Sequence, residues 1–369
     1  MRILMILLLA GGLFPATAMA ASPEFEVEML VDGGLKNPWG LAFLPNGDLL
    51  ITERQGNLRV FRDGALVAEP IAGLPPIREV RQGGLLGIAL HPRFADNRLI
   101  YLAYAGAEGG AHSTEVLRGR FDGARLEHVE TIFRAQPKVR GGRHFGGRLL
   151  FDDAGYLFIT LGDRGRDDDA QDLTLHSGSL IRLHDDGTIP ADNPFNGNSA
   201  AAPGIYTLGN RNMQGIVVHP QTREVWTHEH GPQGGDEVNI MRAGVNYGWP
   251  VITYGRNYGT GTQIGEGTHK DGMAQPIYKW VPSIAPSGMT FYTGERFGQW
   301  RGDLFVGSLK FGLLVRLDVE GEAIVGEQRM LQNVGRVRDV IEGPDGFLYL
   351  VTDSPNGQLL RLVPPGRAG

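Results

Sequence analysis

Val340-I-E-G-P-D-G-F-L-Y-L-V-T-Asp353 reads as two short apolar strands joined by a Pro-Asp-Gly turn. Proline presets φ and glycine accepts positive φ, so the centre turns, while the flanking β-branched and aromatic residues favour extended chain. The unit recurs five more times. It reads Leu41-A-F-L-P-N-G-D-L-L-I-T-Glu53, Ile88-A-L-H-P-R-F-A-D-N-R-L-I-Y-L-A-Tyr104, Leu149-L-F-D-D-A-G-Y-L-F-I-T-Leu161 and Ile216-V-V-H-P-Q-T-R-E-V-W-T-His228. A looser copy is Met289-T-F-Y-T-G-E-R-F-G-Q-W-R-G-D-L-F-V-Gly307. The turn centres, Asn46, Phe94, Asp153, Gln221, Gly298 and Asp345, lie roughly 50 to 75 residues apart, at or above the ~40–50 residues of a four-stranded propeller blade. Six such hairpins predict an all-β fold, a six-bladed β-propeller with four-stranded antiparallel blades between about residues 24 and 364. A β-sandwich also spaces its strands regularly, but six similar hairpins favour radial repetition. No long window has amphipathic helical periodicity and no linker divides the chain, so residues 21–369 are expected to form one domain. In a propeller, loops from every blade converge at one mouth of the central channel, where a ligand site is expected.

Composition agrees with a turn-dense fold. The chain has 369 residues with 55 Gly, about twice average usage, 41% hydrophobic residues and a net charge of −6. Glycine in helix interiors is costly, which argues against an all-helical protein. The absence of a G-X-Y period excludes collagen, and the plentiful apolar residues exclude wholesale disorder. The mild acidity argues against a sequence-independent nucleic-acid binder. Residues 1–20 carry Arg2, an apolar run from Ile3 to Phe14, and Ala18-Met19-Ala20 before Ala21. That pattern predicts a secretory signal peptide cut after Ala20 and a periplasmic or secreted protein with no membrane span in the mature chain. An exported chain with no Cys must tie down its loops by packing, hydrogen bonds or metal ions rather than disulfides.

Polar clusters flank the hairpins. Arg140-G-G-R-H-F-G-G-Arg148 sets His144 among glycines, and Leu161-Gly162-Asp163-Arg164-Gly165 follows the same hairpin. Histidine takes protons near neutral pH, and an aspartate can orient its ring; a structural His and an ordinary D-x-G turn are the plain alternatives. Leu208-G-N-R-N-M-Q-Gly215 offers Arg211 and Asn212, either to polarise a ligand carbonyl or to knit loops together. In Trp226-T-H-E-H-G-P-Q-G-G-D-E-Val238, His228 and His230 share a face if extended, yet a third transition-metal ligand is missing. Glu229, Asp236, Glu237 and the carbonyls around Gly231-Pro232 suit calcium better. Arg336 and Arg338 share a face in extended chain and suit an anionic ligand, or are plain surface charge. His91 and His219 read as turn residues, and Asp167-Asp168-Asp169 as a solvated loop. No P-loop, G-x-S-x-G elbow, Cys-based metal motif or nicotinamide-type glycine motif occurs.

Together and in this order, the clusters resemble the soluble quinoprotein glucose/sorbosone dehydrogenase family, particularly its aldose sugar dehydrogenase branch. The resemblance runs from about Leu35 to Leu360. It rests on Asn37-Pro38-Trp39-Gly40, Arg81-Q-G-G-L-L-G-I-A-L-H-Pro92, the Arg140–Arg148, Leu161–Gly165 and Leu208–Gly215 runs, and His230-G-P-Q-G-G-D-Glu237 with Asn246-Tyr247-Gly248-Trp249-Pro250. Ala285-Pro286-Ser287, Ser308-Leu309-Lys310 and Arg336-V-Arg338-Asp339-Val340 complete it.

The resemblance implies pyrroloquinoline quinone (PQQ) and Ca2+ on a six-bladed propeller, and oxidation of the C1 hydroxyl of an aldose sugar to a lactone. By motif, His144 resembles the general base, Asp163 its orienting partner, and Gln82 the amide that holds the reacting hydroxyl. Arg211 and Asn212 match quinone-facing positions, Arg211 also among the catalytic set. Lys310, Arg336 and Arg338 match the cations that meet the cofactor carboxylates, and Tyr258 is a further cofactor contact. The carbonyls of Gly231 and Pro232 match ligands of the cofactor calcium; Glu237 and the Tyr247 carbonyl match a separate structural calcium. His228 and His230 then read as residues of the surrounding shell. The long insertions of the dimeric glucose-specific members are absent, which implies a monomer or weak dimer and leaves their sugar preference, a second structural calcium and the electron acceptor open. The competing readings are a calcium-dependent lactonase on the same fold and a non-enzymatic propeller that binds carbohydrate or protein. Three cations around an anionic cofactor favour the dehydrogenase.

Overall fold

The computed structural model describes residues 24–366; the expected signal peptide lies outside them. The chain opens with β1 (Glu26–Leu35), which waits for a partner at the far end of the sequence. The first blade is β2 (Pro38–Phe43), β3 (Leu49–Glu53), β4 (Asn57–Arg62) and β5 (Ala65–Leu66). The second is β6 (Leu85–Leu90), β7 (Leu99–Glu108), β8 (Ala111–Phe121) and β9 (Leu126–Arg134), and the third is β10 (Leu149–Phe151), β11 (Leu157–Thr160), β12 (Leu180–Leu183) and β13 (Ile205–Thr207). The fourth is β14 (Met213–Val218), β15 (Val225–Glu229), β16 (Asp236–Met241) and β17 (Tyr278–Trp280). The fifth is β18 (Pro286–Phe291), β19 (Leu304–Ser308), β20 (Leu313–Glu320) and β21 (Ala323–Met330). The sixth holds β22 (Val337–Glu342), β23 (Leu348–Thr352) and β24 (Gly357–Val363), with β1 as its outermost strand.

The protein is therefore a six-bladed propeller of four-stranded antiparallel sheets, and each of the six hairpins read from sequence supplies the first two strands of one blade. Successive first strands pack on one another, and β22 returns to β2, which closes the ring. The second strand of each blade lies between neighbouring sheets, so both its faces are covered. Hence β3, β11, β15, β19 and β23 are buried along their whole length, and their apolar runs are continuous rather than alternating. Outer strands such as β1 and β9 alternate between half-buried and exposed positions. Between the fifth and sixth sheets Tyr292, Phe297, Trp300 and Phe305 form an aromatic cluster, with Phe297 and Trp300 stacked at 4.1 Å.

His91 and His219 hold turns, as expected: their Nδ1 atoms accept the backbone N–H of Arg93 at 2.9 Å and of Thr222 at 3.1 Å. Asp167–Gln171 forms a short 3-10 turn rather than an open loop, fastened by Arg166 on Asp169 at 2.8 Å. Among the described residues no helix is long and apolar enough to cross a membrane.

Because the strands alternate in direction, every first strand begins, and every second strand ends, at the same end of the axis. Motifs that precede the first strands and follow the second strands therefore meet there. Five of the six first strands carry a register shift close to that end, the kind of bulge that re-aims side chains.

Candidate functional site

At that end lies a cleft of about 720 Å³, lined by residues of all the blades, including Trp39, Gln82, Asn212, His230, Lys310 and Arg338. Its wall on the third blade is the glycine-rich run around His144. His144 has a positive φ of 53°, uncommon for a residue with a side chain. Gly162 lies so close that a Cβ on it would stand 2.1 Å from the His144 carbonyl oxygen. His144 is 7% exposed and stands just behind the cleft surface. Its neighbours Phe145 and Gly146 line the cleft, as does Gln82, whose Oε1 accepts the His144 N–H at 2.8 Å.

His144 Nδ1 lies 2.6 Å from Asp163 Oδ1. Asp163 also accepts from the Gly165 N–H at 2.6 Å and, through Oδ2, from Trp249 Nε1 at 2.8 Å. Burial favours the neutral acid, but the His144 contact, the Gly165 hydrogen bond and the Arg211 charge together hold Asp163 below the ordinary carboxylate range. An ionised Asp163 only accepts, so the Nδ1 that faces it carries a proton, and Nε2 is the ring nitrogen left to exchange one. That is the arrangement of an oriented base.

Lys310, Arg336 and Arg338 line the cleft together. Arg338 Nη2 meets Asp353 Oδ2 at 2.8 Å and Arg336 Nη2 meets the same oxygen at 3.4 Å. Arg338 Nη1 donates to Gln214 Oε1 at 3.3 Å, whereas its Nε is buried without a partner. Lys310 has no carboxylate partner among the described residues; its Nζ lies 5.1 Å from the Phe311 ring centre. Two of these three cations thus share one carboxylate at the cleft, and the third has none among the described residues.

The H-E-H-G-P run divides between two places. His230 Nε2 donates to the Pro286 carbonyl at 2.6 Å, and burial pulls its pKa down to about 3, so the ring is neutral. His228 is fully buried, held neutral by burial, and both its nitrogens lack partners. Glu229 and Glu237 face each other across β15 and β16 and line a small cavity with Tyr247. Burial raises Glu229 to about 7, against hydrogen bonds from Asn210 and from the Arg211 and Asn212 amides. Burial and the facing Glu229 push Glu237 well above its usual range. A buried, facing pair of carboxylates, one of them pushed up by the other, suits a divalent cation.

Asp236 corrects one expectation. Its carboxylate accepts from Gly231 N, Ser283 Oγ, Ile284 N and Ala285 N at 2.7–2.9 Å, which makes it a loop anchor rather than a calcium ligand. The Gly231 carbonyl accepts from Arg211 Nη1 at 2.9 Å, and the Pro232 carbonyl from the hydroxyl of Tyr258, which is 68% exposed at the rim. No three His, Asp or Glu side chains gather around a possible metal site among the described residues. A cation here would depend on main-chain oxygens or on a carboxylate pair.

Sequence alone does not point to Trp249 as a donor to Asp163, nor to Glu229 as the acceptor for two amides of the Arg211 run. The Trp249 contact joins the fourth blade to the third and forms only when blades pack, whereas the Glu229 contact closes the open end of the β14–β15 hairpin, where Met213 pairs with Glu229. The nearest sequence signal is the Asn246–Pro250 run itself.

Residues 35–361 match the family model described as "Glucose / Sorbosone dehydrogenase". The chain is 44% identical over 352 residues to the aldose sugar dehydrogenase of Escherichia coli, covering 94% of each protein. The crystal structure of a soluble aldose sugar dehydrogenase from Escherichia coli, in the apo form, superposes with a TM-score of 0.88 at 42% identity, covering 92% of this chain and 99% of that one. The PQQ-bound aldose sugar dehydrogenase of Streptomyces coelicolor superposes with a TM-score of 0.75 at 29% identity, covering 93% and 99%.

Proposed function

The chain belongs to the glucose/sorbosone dehydrogenase family, and from that premise we propose that it is an exported, PQQ- and calcium-dependent aldose sugar dehydrogenase that oxidises the C1 hydroxyl to a lactone. The observation that carries this reading is the His144–Asp163 pair at 2.6 Å beside a cleft lined by Lys310, Arg336 and Arg338, of which only the two arginines meet a carboxylate, Asp353. The relatives named as aldose sugar dehydrogenases, one of them bound to PQQ, support it.

The residues present fit both groups. Among the described residues Lys310 forms no ion pair and Arg338 Nε has no partner, which leaves one unpaired charge and one free N–H donor for the carboxylates of PQQ. Hard main-chain oxygens at Gly231 and Pro232 suit calcium, which would displace the Arg211 guanidinium from the Gly231 oxygen because the two charges repel. Glu237, the facing Glu229 and Tyr247 would hold a separate structural calcium.

PQQ, when bound beside its calcium, supplies the two-electron acceptor for the hydride that leaves C1. His144 Nε2 takes the hydroxyl proton, and Asp163 stabilises the imidazolium that results. Gln82, with its Oε1 engaged by the His144 amide, keeps its NH2 for the sugar hydroxyl. Arg336, Arg338 and Lys310 would hold the cofactor through its carboxylates, and Asn212 and Arg211 would complete its binding site. The test is to strip the purified protein with chelator, restore PQQ and calcium, and follow aldose-dependent dye reduction. Reduction by at least one aldose is expected; none across a broad panel sinks the reading.

A further inference from the structure

Asp163 and Arg164 are neighbours in one turn, and only Asp163 has a role so far. Arg164 is 8% exposed, forms no ion pair among the described residues, and has a buried Nε with no partner. Its Nη1 donates to the Arg143 carbonyl, and its Nη2 donates to the Gly141 carbonyl at 3.1 Å and approaches the His112 carbonyl at 3.5 Å. Its guanidinium lies 3.4 Å from the Phe145 ring centre. A buried guanidinium is costly to desolvate, and nearly all its contacts here are to the run that carries His144. They are main-chain oxygens before the histidine and the ring after it.

The Arg143 carbonyl has a particular place. It belongs to the peptide plane on which φ of His144 turns, and the N–H of that plane donates to Gln82 Oε1 at 2.8 Å. One peptide is thus gripped at its oxygen by Arg164 and at its hydrogen by Gln82, next to a residue held at φ 53°. Without the grip on the oxygen, only the Gln82 contact holds this plane against rotation towards the right-handed region that residues with side chains prefer.

We propose that Arg164 is a positioning residue for the base: it fixes the main chain beneath His144 while the adjacent Asp163 fixes the ring. This inference rests on His144 acting as the base, but its first readout does not.

The test uses Arg164→Met, which keeps the length and loses the donors, and Arg164→Lys, which keeps the charge. Arg182→Met is the control: Arg182 is another buried arginine of the third blade, lying 4.5 Å from the Tyr156 ring centre and away from the cleft. In the protein without cofactor or sugar, the downfield imidazole N–H resonance of His144 on Asp163 should be lost or broadened in Arg164→Met and kept in Arg182→Met. After PQQ and calcium are restored, kcat should fall about 100-fold, the effect of a misplaced catalytic group. The PQQ titration should stay unchanged, and Arg164→Lys should recover part of the rate. If the Met variant does not fold, the same two readouts on Arg164→Lys decide. A wild-type resonance and kcat in a folded Arg164 variant overturn the proposal, as does a loss of PQQ binding that accounts for the whole rate loss. A lost resonance in a protein that oxidises no aldose would leave the positioning role standing and remove only the dehydrogenase reading.

Discussion

His144 shows how much one residue depends on its surroundings. The loop glycines and the histidine were legible in sequence, because glycines flanking a single histidine make a recognisable run. The left-handed φ and the double grip on the preceding peptide were not, since Gln82 and Arg164 come from other segments. His144→Ala should bind PQQ like the wild type and lose about 10²–10⁴-fold in turnover, the usual contribution of a general base; steady-state rates and a quinone titration measure the two separately. Asp353 carries a pH prediction. Burial raises its pKa, but the Arg338 charge and hydrogen bond, with help from Asn37, outweigh burial and depress it strongly. An acid whose folded pKa lies below its unfolded value, near ~3.9, adds stability that is complete above that value and disappears as pH falls toward the folded pKa. Asp353→Asn should therefore destabilise by about 3 kcal/mol at pH ~6, the cost of stranding a buried charge. The gap from wild type should narrow steadily in denaturant titrations below pH ~4.

The hairpin is the element that the sequence reveals best. Its turn residues and its second strand, buried on both faces, are strong local signals. Three of the fourth strands were far less legible: β5, β13 and β17 span two or three residues, too few for any period to register, and their places are set by the sheet they join. Blade packing leaves its own mark at Gly87 on β6. A Cβ there would stand 2.2 Å from the Gly147 carbonyl oxygen, and φ at Gly87 is not in the left-handed region, so the penalty is steric alone. Gly87→Ala should cost about 1–3 kcal/mol, as overpacking does. A midpoint in urea equal to that of the wild type would show that neighbouring blades can part without cost.

At the scale of the whole molecule, charge and closure replace disulfides. With no metal the Glu229–Glu237 pair is a source of repulsion. Calcium should therefore raise the unfolding temperature of the chelated protein, by the equivalent of ~2.7 kcal/mol when its concentration is a hundred times Kd. Glu237→Gln should make the calcium-free protein more stable and abolish most of that response; calorimetry with and without chelator reads both. The propeller class and blade number were visible in the sequence because repetition is a global signal. The closing strand was not, because nothing near Glu26 announces a partner at Val363.

The pairing of Glu26 with Val363 places the two ends of the described chain side by side on one sheet edge. Topologically the ring has no first blade, and the point where the polypeptide begins is a matter of bookkeeping. A circular permutant in which a short linker joins these ends, and new termini open in the exposed Ala68–Pro70 stretch between the first and second blades, should fold to the same cleft. A permutant that is insoluble, or that no longer takes up PQQ, would show that the order of synthesis along the chain governs how the ring is assembled.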